Sequence, residues 1–272
     1  MIKIILSDMD GTLLDENSKL PAKFEETMIE LKRRGVIFAP ASGRQYKSLR
    51  NLFEKHLDEF IFISDNGTMV FQNDQEIFSS VMNLDEVTAI MKTAIELPNI
   101  FSVFCGKKNG YYLESQKSPE HLMELEKYYP NHQAVANFDE VTQKFHDQPI
   151  KLAFFDVTGH AETSIFKPLS KFESDSIHVV QSSDFWIDIA NLGVSKGSAV
   201  QAIQKHLGIK PDECAAFGDY MNDFEMLQSV YYSFAMANAH PEIKKIARFE
   251  TSSNSESGVI LGIQKLIEEG LI

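Results

Sequence analysis

The 272-residue chain has two cysteines, one tryptophan, and 26 lysines and arginines against 39 acidic residues. Cys105 and Cys214 are far apart and both stand in apolar surroundings, which predicts buried free thiols rather than a disulfide and favours a reducing compartment. The shortage of basic residues leaves a net charge of −13 and an isoelectric point near 5.1. That balance argues against a protein that lives on the phosphate backbone of nucleic acid or on an anionic membrane. A small anionic substrate stays open, because its attraction needs only local positive charge. No stretch reaches about 18 unbroken apolar residues. Met1 is followed at once by a strand-like run containing Lys3, with no leader pattern, so the expectation is a soluble cytoplasmic protein. The eight histidines show no His-Glu-x-x-His or similar spacing, and transition-metal catalysis finds no support. Neither Gly-x-x-x-x-Gly-Lys-Ser/Thr nor Gly-x-Gly-x-x-Gly occurs, which removes the usual grounds for a nucleotide-hydrolysing or dinucleotide-binding core. There is no internal repeat and no low-complexity tract.

What is present is ample apolar material, 43% of the chain with 11% aromatic, and a length that suggests two domains. The most informative stretch is Asp8-Met9-Asp10-Gly11-Thr12, directly after the apolar run from Ile2 to Leu6. A parallel α/β sheet places its chemistry where such a strand ends. Side chains in a strand alternate, so Asp8 and Asp10 are expected on one face, with Gly11 allowing a sharp turn. A solvated turn would use the same residue types. A calcium loop fits poorly, because Gly11 follows the second Asp at once.

Three distant segments carry groups that a phosphate site needs. Val36-Ile37-Phe38-Ala39 leads into Ala41-Ser42-Gly43-Arg44, a hydroxyl and amides at a helix start, where phosphate oxygens bind. Lys196 lies in Gly193-Val194-Ser195-Lys196-Gly197-Ser198, before the helix-like stretch from Ala199 to Leu207. Cys214-Ala215-Ala216-Phe217 runs into Gly218-Asp219-Tyr220-Met221-Asn222-Asp223. Each alone would pass for a cap, a solvated charge or a turn.

The pattern of elements is α/β. Strands are expected at Ile2–Leu6, Val36–Ala39 and Phe60–Ser64, with helices at Ala22–Arg34, between Pro21 and Gly35, and at Gln45–Lys55. Met69–Phe71 and Ile77–Ser79 read as a hairpin around Asn73-Asp74. From about Leu84 the character changes to an α+β pattern: a helix Leu84–Leu97, strands Ile100–Cys105 and Tyr111–Glu114, a helix Pro119–Tyr129, a strand Lys151–Val157, a helix Glu162–Phe172, and paired strands Ile177–Gln181 and Phe185–Ile189. After Lys196 the core pattern resumes, closing with helices Glu242–Ala247 and Gly258–Glu269. The division is a core of residues 1–82 and 192–272 with an insertion over 83–191, hinged near Met82-Asn83 and Asn191-Leu192-Gly193.

In this order the segments resemble the haloacid dehalogenase superfamily, whose four motifs are matched by Asp8-Met9-Asp10-Gly11-Thr12, Ser42-Gly43, Lys196, and Gly218-Asp219 with Asn222-Asp223. The resemblance covers nearly the whole chain. Ser42-Gly43-Arg44, Asn66-Gly67 and Gly193-Val194-Ser195-Lys196-Gly197 are most similar to the Cof-like sugar-phosphatase branch. It implies a Rossmann-like parallel-sheet core with an inserted α+β cap that covers the site and selects substrate, and a phosphatase acting on a small phosphorylated metabolite. A phosphate dianion beside the Asp8 carboxylate is repelled by about 4 kcal/mol per charge pair, about 8 in all, at ~4 Å and an effective dielectric of ~20. The resemblance implies that Mg²⁺ cancels this, held by the Asp8 carboxylate, the Asp10 carbonyl and the Asp219 carboxylate. Lys196 supplies further positive charge. Asp8 is the implied nucleophile and forms an aspartyl-phosphate, while Asp10 protonates the leaving oxygen and then activates water. Met9, Ser42, Gly43 and Asn222 are implied phosphate contacts, Asp223 orients Lys196 or the metal waters, Thr12 braces the loop, and Arg44 stands close by.

Two other readings stay open at this point: phosphoryl transfer between sugar positions, and a binding protein that keeps the site only to sense a ligand. A dehalogenase would give Asp10 no task. In the insertion, Lys107 and Lys108 read as solvated turn lysines, Trp186 as packing, and Asp188 as facing either the cleft or solvent.

Overall fold

The computed structural model describes all 272 residues, Met1–Ile272. The chain forms two compact units, one of residues 1–78 and 195–272 and the other of residues 79–194. In chain order the strands are β1 (Ile4–Asp8), β2 (Ile37–Ala41), β3 (Ile61–Ser64), β4 (Met69–Gln72), β5 (Gln75–Ser79), β6 (Ile100–Gly106), β7 (Gly110–Leu113), β8 (His132–Val135), β9 (Pro149–Asp156), β10 (Ile177–Gln181), β11 (Trp186–Asn191), β12 (Cys214–Gly218), β13 (Tyr232–Met236) and β14 (Phe249–Thr251).

The first unit is an α/β layer structure on an eight-stranded sheet of order β14-β13-β12-β1-β2-β3-β4-β5. β1 pairs in parallel with β12 and β2, and is buried along its whole length, as a strand covered on both faces must be. β3 and β4 pair antiparallel, and the hairpin to β5 turns at Asn73 and Asp74, both with positive φ (54° and 56°). The helix Phe24–Arg33 starts on Glu25 and Glu26 and ends on Lys32 and Arg33, matching the charge bias of helix ends. It buries Phe24, Thr27, Met28 and Leu31, one stripe at helical spacing, and Phe24 packs with Phe38, Phe53 and Phe60. The helix Lys196–Leu207 begins in a capping box between Ser195 and Ser198 and stops at Gly208 in the left-handed conformation.

The second unit is a six-stranded sheet of order β10-β11-β9-β6-β7-β8, antiparallel except for β7 and β8. The helix Leu84–Ala94 packs Val87, Ile90 and Met91 into an apolar core with Ile100, Phe104, Leu152 and Phe154. This unit is wider at each end than the expected 83–191. The Met82 N–H donates to the Pro149 carbonyl and the Asn191 amide donates to Ser80 Oγ and the Val81 carbonyl, so entry and exit strands are tied to it.

Several elements differ from the sequence expectation. The helix expected over Glu162–Phe172 forms as one unbroken run whose pitch changes, wide over Glu162–Phe166, α-helical over Lys167–Leu169 and tight over Ser170–Phe172. Pro168 has no N–H to continue an α-helical ladder there. The expected helix Gln45–Lys55 runs only from Tyr46 to Leu52, after which Phe53 leaves the helix to enter the aromatic core. Strands β8, β13 and β14 go beyond the elements expected from the sequence.

Candidate active site

β1, β2 and β12 lie side by side with Ser7 opposite Phe217 and Asp8 opposite Ala41, so Asp8, Ser42 and Asp219 all follow neighbouring carboxyl-terminal strand ends. Asp8 is 6% exposed and Lys196 0%. The Lys196 ammonium donates to Asp8 Oδ1 and, at 2.6 Å, to Asp223 Oδ1. Lys196 is the first residue of its helix, and the start of that helix is pressed against Gly67, where any Cβ would collide with the Ser195 carbonyl. Asp223 also accepts the N–H groups of Asp219 (3.0 Å) and Tyr220 (3.3 Å), which fixes the loop after β12. Thr12 Oγ1 donates to Asp219 Oδ1 at 2.8 Å. Gly11, with φ 84°, passes Asp219 so closely that a Cβ would strike its carboxylate.

Carboxylate oxygens of Asp8, Asp219 and Asp223 lie within 4.8 Å of one another. Three carboxylates thus share one ammonium. Burial, then the Asp223 charge, raise Asp8 to about 8 despite the opposing pull of Lys196. Burial also raises Asp219, against its hydrogen bond from Thr12. Burial alone would lower Lys196, but Asp223 and Asp8 outweigh it and hold the ammonium above its ordinary value. The cluster is therefore short of positive charge and offers only oxygen, a donor set that suits a hard divalent ion. Asp8 and Asp219, with carboxylate oxygens not fully used by N–H donors, are the residues able to hold it.

The Asp10 side chain is exposed, whereas that of Asp8 is buried. β1 ends at Asp8, and a turn follows in which the Leu13 N–H donates to the Asp8 carbonyl and the Leu14 N–H to the Met9 carbonyl, so strand alternation no longer applies. Met9 is buried, whereas the Asp10 side chain is 57% exposed and meets Arg44 in a two-pronged pair, Nη2 to Oδ1 at 2.6 Å and Nε to Oδ2 at 3.1 Å. Ser42 is buried and its Oγ accepts the Arg44 N–H at 3.1 Å. Gly43 lies against the side chain of Asn66, and Asn66 Oδ1 accepts from Asn222 Nδ2 at 3.1 Å. In the sequence Asn66-Gly67 reads as a turn and as one of the segments similar to the Cof-like branch, but Asn66 is not among the expected site residues. Asn238, whose Nδ2 donates to the Gly11 carbonyl at 2.8 Å, carries no sequence signal of either kind.

In the second unit, Trp186 packs on Phe155 with ring centroids 4.9 Å apart and donates to Glu124. Asp188 pairs with Lys151 at 3.2 Å and accepts from Ser182. Lys108 is occupied by the His146 carbonyl at 2.9 Å, beside a buried Asp147 that accepts the N–H groups of Lys108 and Asn109.

A family model described as haloacid dehalogenase-like hydrolase matches residues 5–263. A curated relative from Escherichia coli K12, named 5-amino-6-(5-phospho-D-ribitylamino)uracil phosphatase YbjI, is 29% identical over 98% of this chain and 97% of its own. An HMP-PP phosphatase from Citrobacter koseri is 27% identical over 89% of this chain and 87% of its own. The crystal structure of SMU.1108c from Streptococcus mutans superposes with a TM-score of 0.84 at 28% identity, covering 98% of this chain and 100% of the other. No helix of the chain is long and apolar enough to cross a membrane.

Proposed function

The chain belongs to the haloacid dehalogenase-like hydrolases, and from that premise we propose that it is a Mg²⁺-dependent phosphatase of small phosphorylated metabolites that works through an aspartyl-phosphate on Asp8. The observation that carries the reading is the buried cluster of Asp8, Lys196, Asp219 and Asp223, with its excess of carboxylate over ammonium. Mg²⁺ bound by the Asp8 and Asp219 carboxylates and the Asp10 carbonyl would supply the charge that lets a phosphate dianion approach.

The chain's own groups do the rest. Lys196 fixes the Asp8 carboxylate and neutralises the oxygens of the incoming phosphoryl group. Asp8 attacks phosphorus, which divides one difficult hydrolysis into two displacements. Asp10, exposed beside Arg44, gives a proton to the leaving oxygen and then takes one from the attacking water. The Ser42 hydroxyl, the amides of Met9 and Gly43, and the Asn222 side chain bind phosphoryl oxygens, while Asp223 orients Lys196 and Thr12 holds Asp219. Arg44 steadies Asp10.

The names of the two curated relatives, one a phosphoribityl-aminouracil phosphatase and the other an HMP-PP phosphatase, support a sugar phosphate or cofactor-like phosphate as substrate. Two buried free thiols support a cytoplasmic enzyme. The test is release of inorganic phosphate from a panel of such esters with Mg²⁺ and with a chelator. Phosphate release that disappears on chelation and returns with Mg²⁺ is expected. Isomerised substrate without free phosphate would select phosphoryl transfer between sugar positions, and no turnover of any ester would leave only ligand sensing.

A further inference from the structure

Between β3 and β4 the backbone enters the left-handed region three times in succession, at Asp65 (φ 48°), Asn66 (φ 54°) and Gly67 (φ 96°). Two of these are not glycine, and such conformations persist only where the surroundings enforce them. Here the enforcing contacts reach three other segments of the site. The Asn66 N–H donates to the Ser42 carbonyl at 2.9 Å and the Asp65 N–H to the Arg44 carbonyl at 3.0 Å. Gly67 takes the close approach to the Ser195 carbonyl that sets the start of the Lys196 helix. The Asn66 side chain lies between Gly43, where an added Cβ would sit 3.2 Å from Asn66 Nδ2, and Asn222, whose Nδ2 donates to Asn66 Oδ1 at 3.1 Å.

We propose that Asn66 is a positioning residue for phosphate binding, acting by holding the amide of Asn222. Asn222 is an exposed residue on a short turn, and its side-chain amide donates to Asn66 Oδ1. One amide hydrogen of Asn222 is engaged by Asn66 Oδ1, which leaves the second to point at a phosphate oxygen. Without Asn66 the Asn222 amide rotates freely, and phosphate binding loses the benefit of a pre-set donor. The proposal rests on the role of Asn222 given under the proposed function.

Asn66→Gly separates side chain from backbone, because glycine adopts a positive φ without strain while removing the Oδ1 acceptor. Wild type, Asn66→Gly, Asn222→Ala and the double variant are compared for KM and kcat on one ester, for inhibition by inorganic phosphate, and for thermal unfolding. Expected is a weakening of about tenfold in KM and in phosphate inhibition for Asn66→Gly, with kcat within about threefold and an unchanged unfolding temperature. The double variant should be no worse than Asn222→Ala alone. Wild-type phosphate affinity in Asn66→Gly, or losses that multiply in the double variant, would overturn the proposal. If Asn222→Ala binds phosphate as wild type does, the assignment of Asn222 fails first and this inference falls with it, while Mg²⁺-dependent turnover by the same protein would leave the phosphatase reading standing.

Discussion

Lys196→Met replaces a fully buried ammonium by an apolar chain of similar length and leaves Asp8 and Asp223 facing each other with no cation between them. Their side chains are 9% and 0% exposed, so water cannot take over. Removing one partner of a buried pair costs about 3–5 kcal/mol, because the other charge is stranded. A stranded carboxylate can escape by binding a proton, at about 1.4 kcal/mol for each pH unit above its ordinary value of ~3.9, which caps the cost at about 5 kcal/mol per carboxylate at pH ~7.5. Asp8, raised to about 8 even with Lys196 present, is largely protonated in both proteins over this range, so the penalty should shrink by about 1.4 kcal/mol for each unit of acidification through the one carboxylate that the lost ammonium leaves charged. Urea unfolding of the metal-free protein, followed by far-ultraviolet circular dichroism and checked for constant slope, gives the difference at pH 7.5 and at 5.5. Neutralising the set in Asp8→Asn/Lys196→Met/Asp223→Asn should restore most of the loss, since no charge is then left buried. A loss below about 1 kcal/mol, or one that does not change with pH, would refute the reasoning.

Asp8 raised by burial to about 8 stabilises the metal-free fold while it is protonated, fully so below the ordinary carboxylate value, and that contribution is lost as the pH rises through about 8. Mg²⁺ should accordingly raise the unfolding temperature more at pH 8.5 than at pH 5.5, and an equal rise at both would contradict it. Gly11→Ala places a methyl group on the Asp219 carboxylate at a φ of 84°, so the Mg²⁺ concentration needed for half-maximal activity should rise by about tenfold or more. Arg44→Ala breaks a half-exposed pair and should change stability by less than about 1 kcal/mol. Its kcat should nevertheless fall, because Asp10 is no longer held, and unchanged kcat would remove Arg44 from the site.

The α/β class is legible because β1 and β2 are short apolar runs separated by a helix with clear start and stop residues, a combination that a parallel sheet accommodates. The polar segments at their ends stand out because they recur at strand ends, and the parallel pairing of β1 with β12 is what carries Asp219 and Asp223 to Asp8 across more than two hundred residues. β13, Tyr-Ser-Phe-Ala-Met, has Tyr232 and Phe234 at strand spacing but no β-branched residue, a mixed signal, and it pairs between β12 and β14. β8 and β14 are edge strands of four and three residues, too short for any periodicity to show. Strand alternation does not by itself place Asp10, because β1 ends at Asp8 and Asp10 lies in the turn beyond it, and the pairing with Arg44 becomes visible only after folding. Asn66-Gly67 is legible in the sequence as a turn and a branch resemblance, but a place for Asn66 in the site is not, because its contacts to Ser42, Gly43 and Asn222 form only after folding.

Asp8 is the group assigned to receive the phosphoryl, and Asp8→Asn tests this most directly, since it keeps the side-chain shape while removing the nucleophile. Phosphate release by that variant with saturating Mg²⁺ should fall to background while its unfolding transition stays cooperative. Hydrolysis at a rate close to that of the wild type would contradict the covalent step and the assignment of the site built around it.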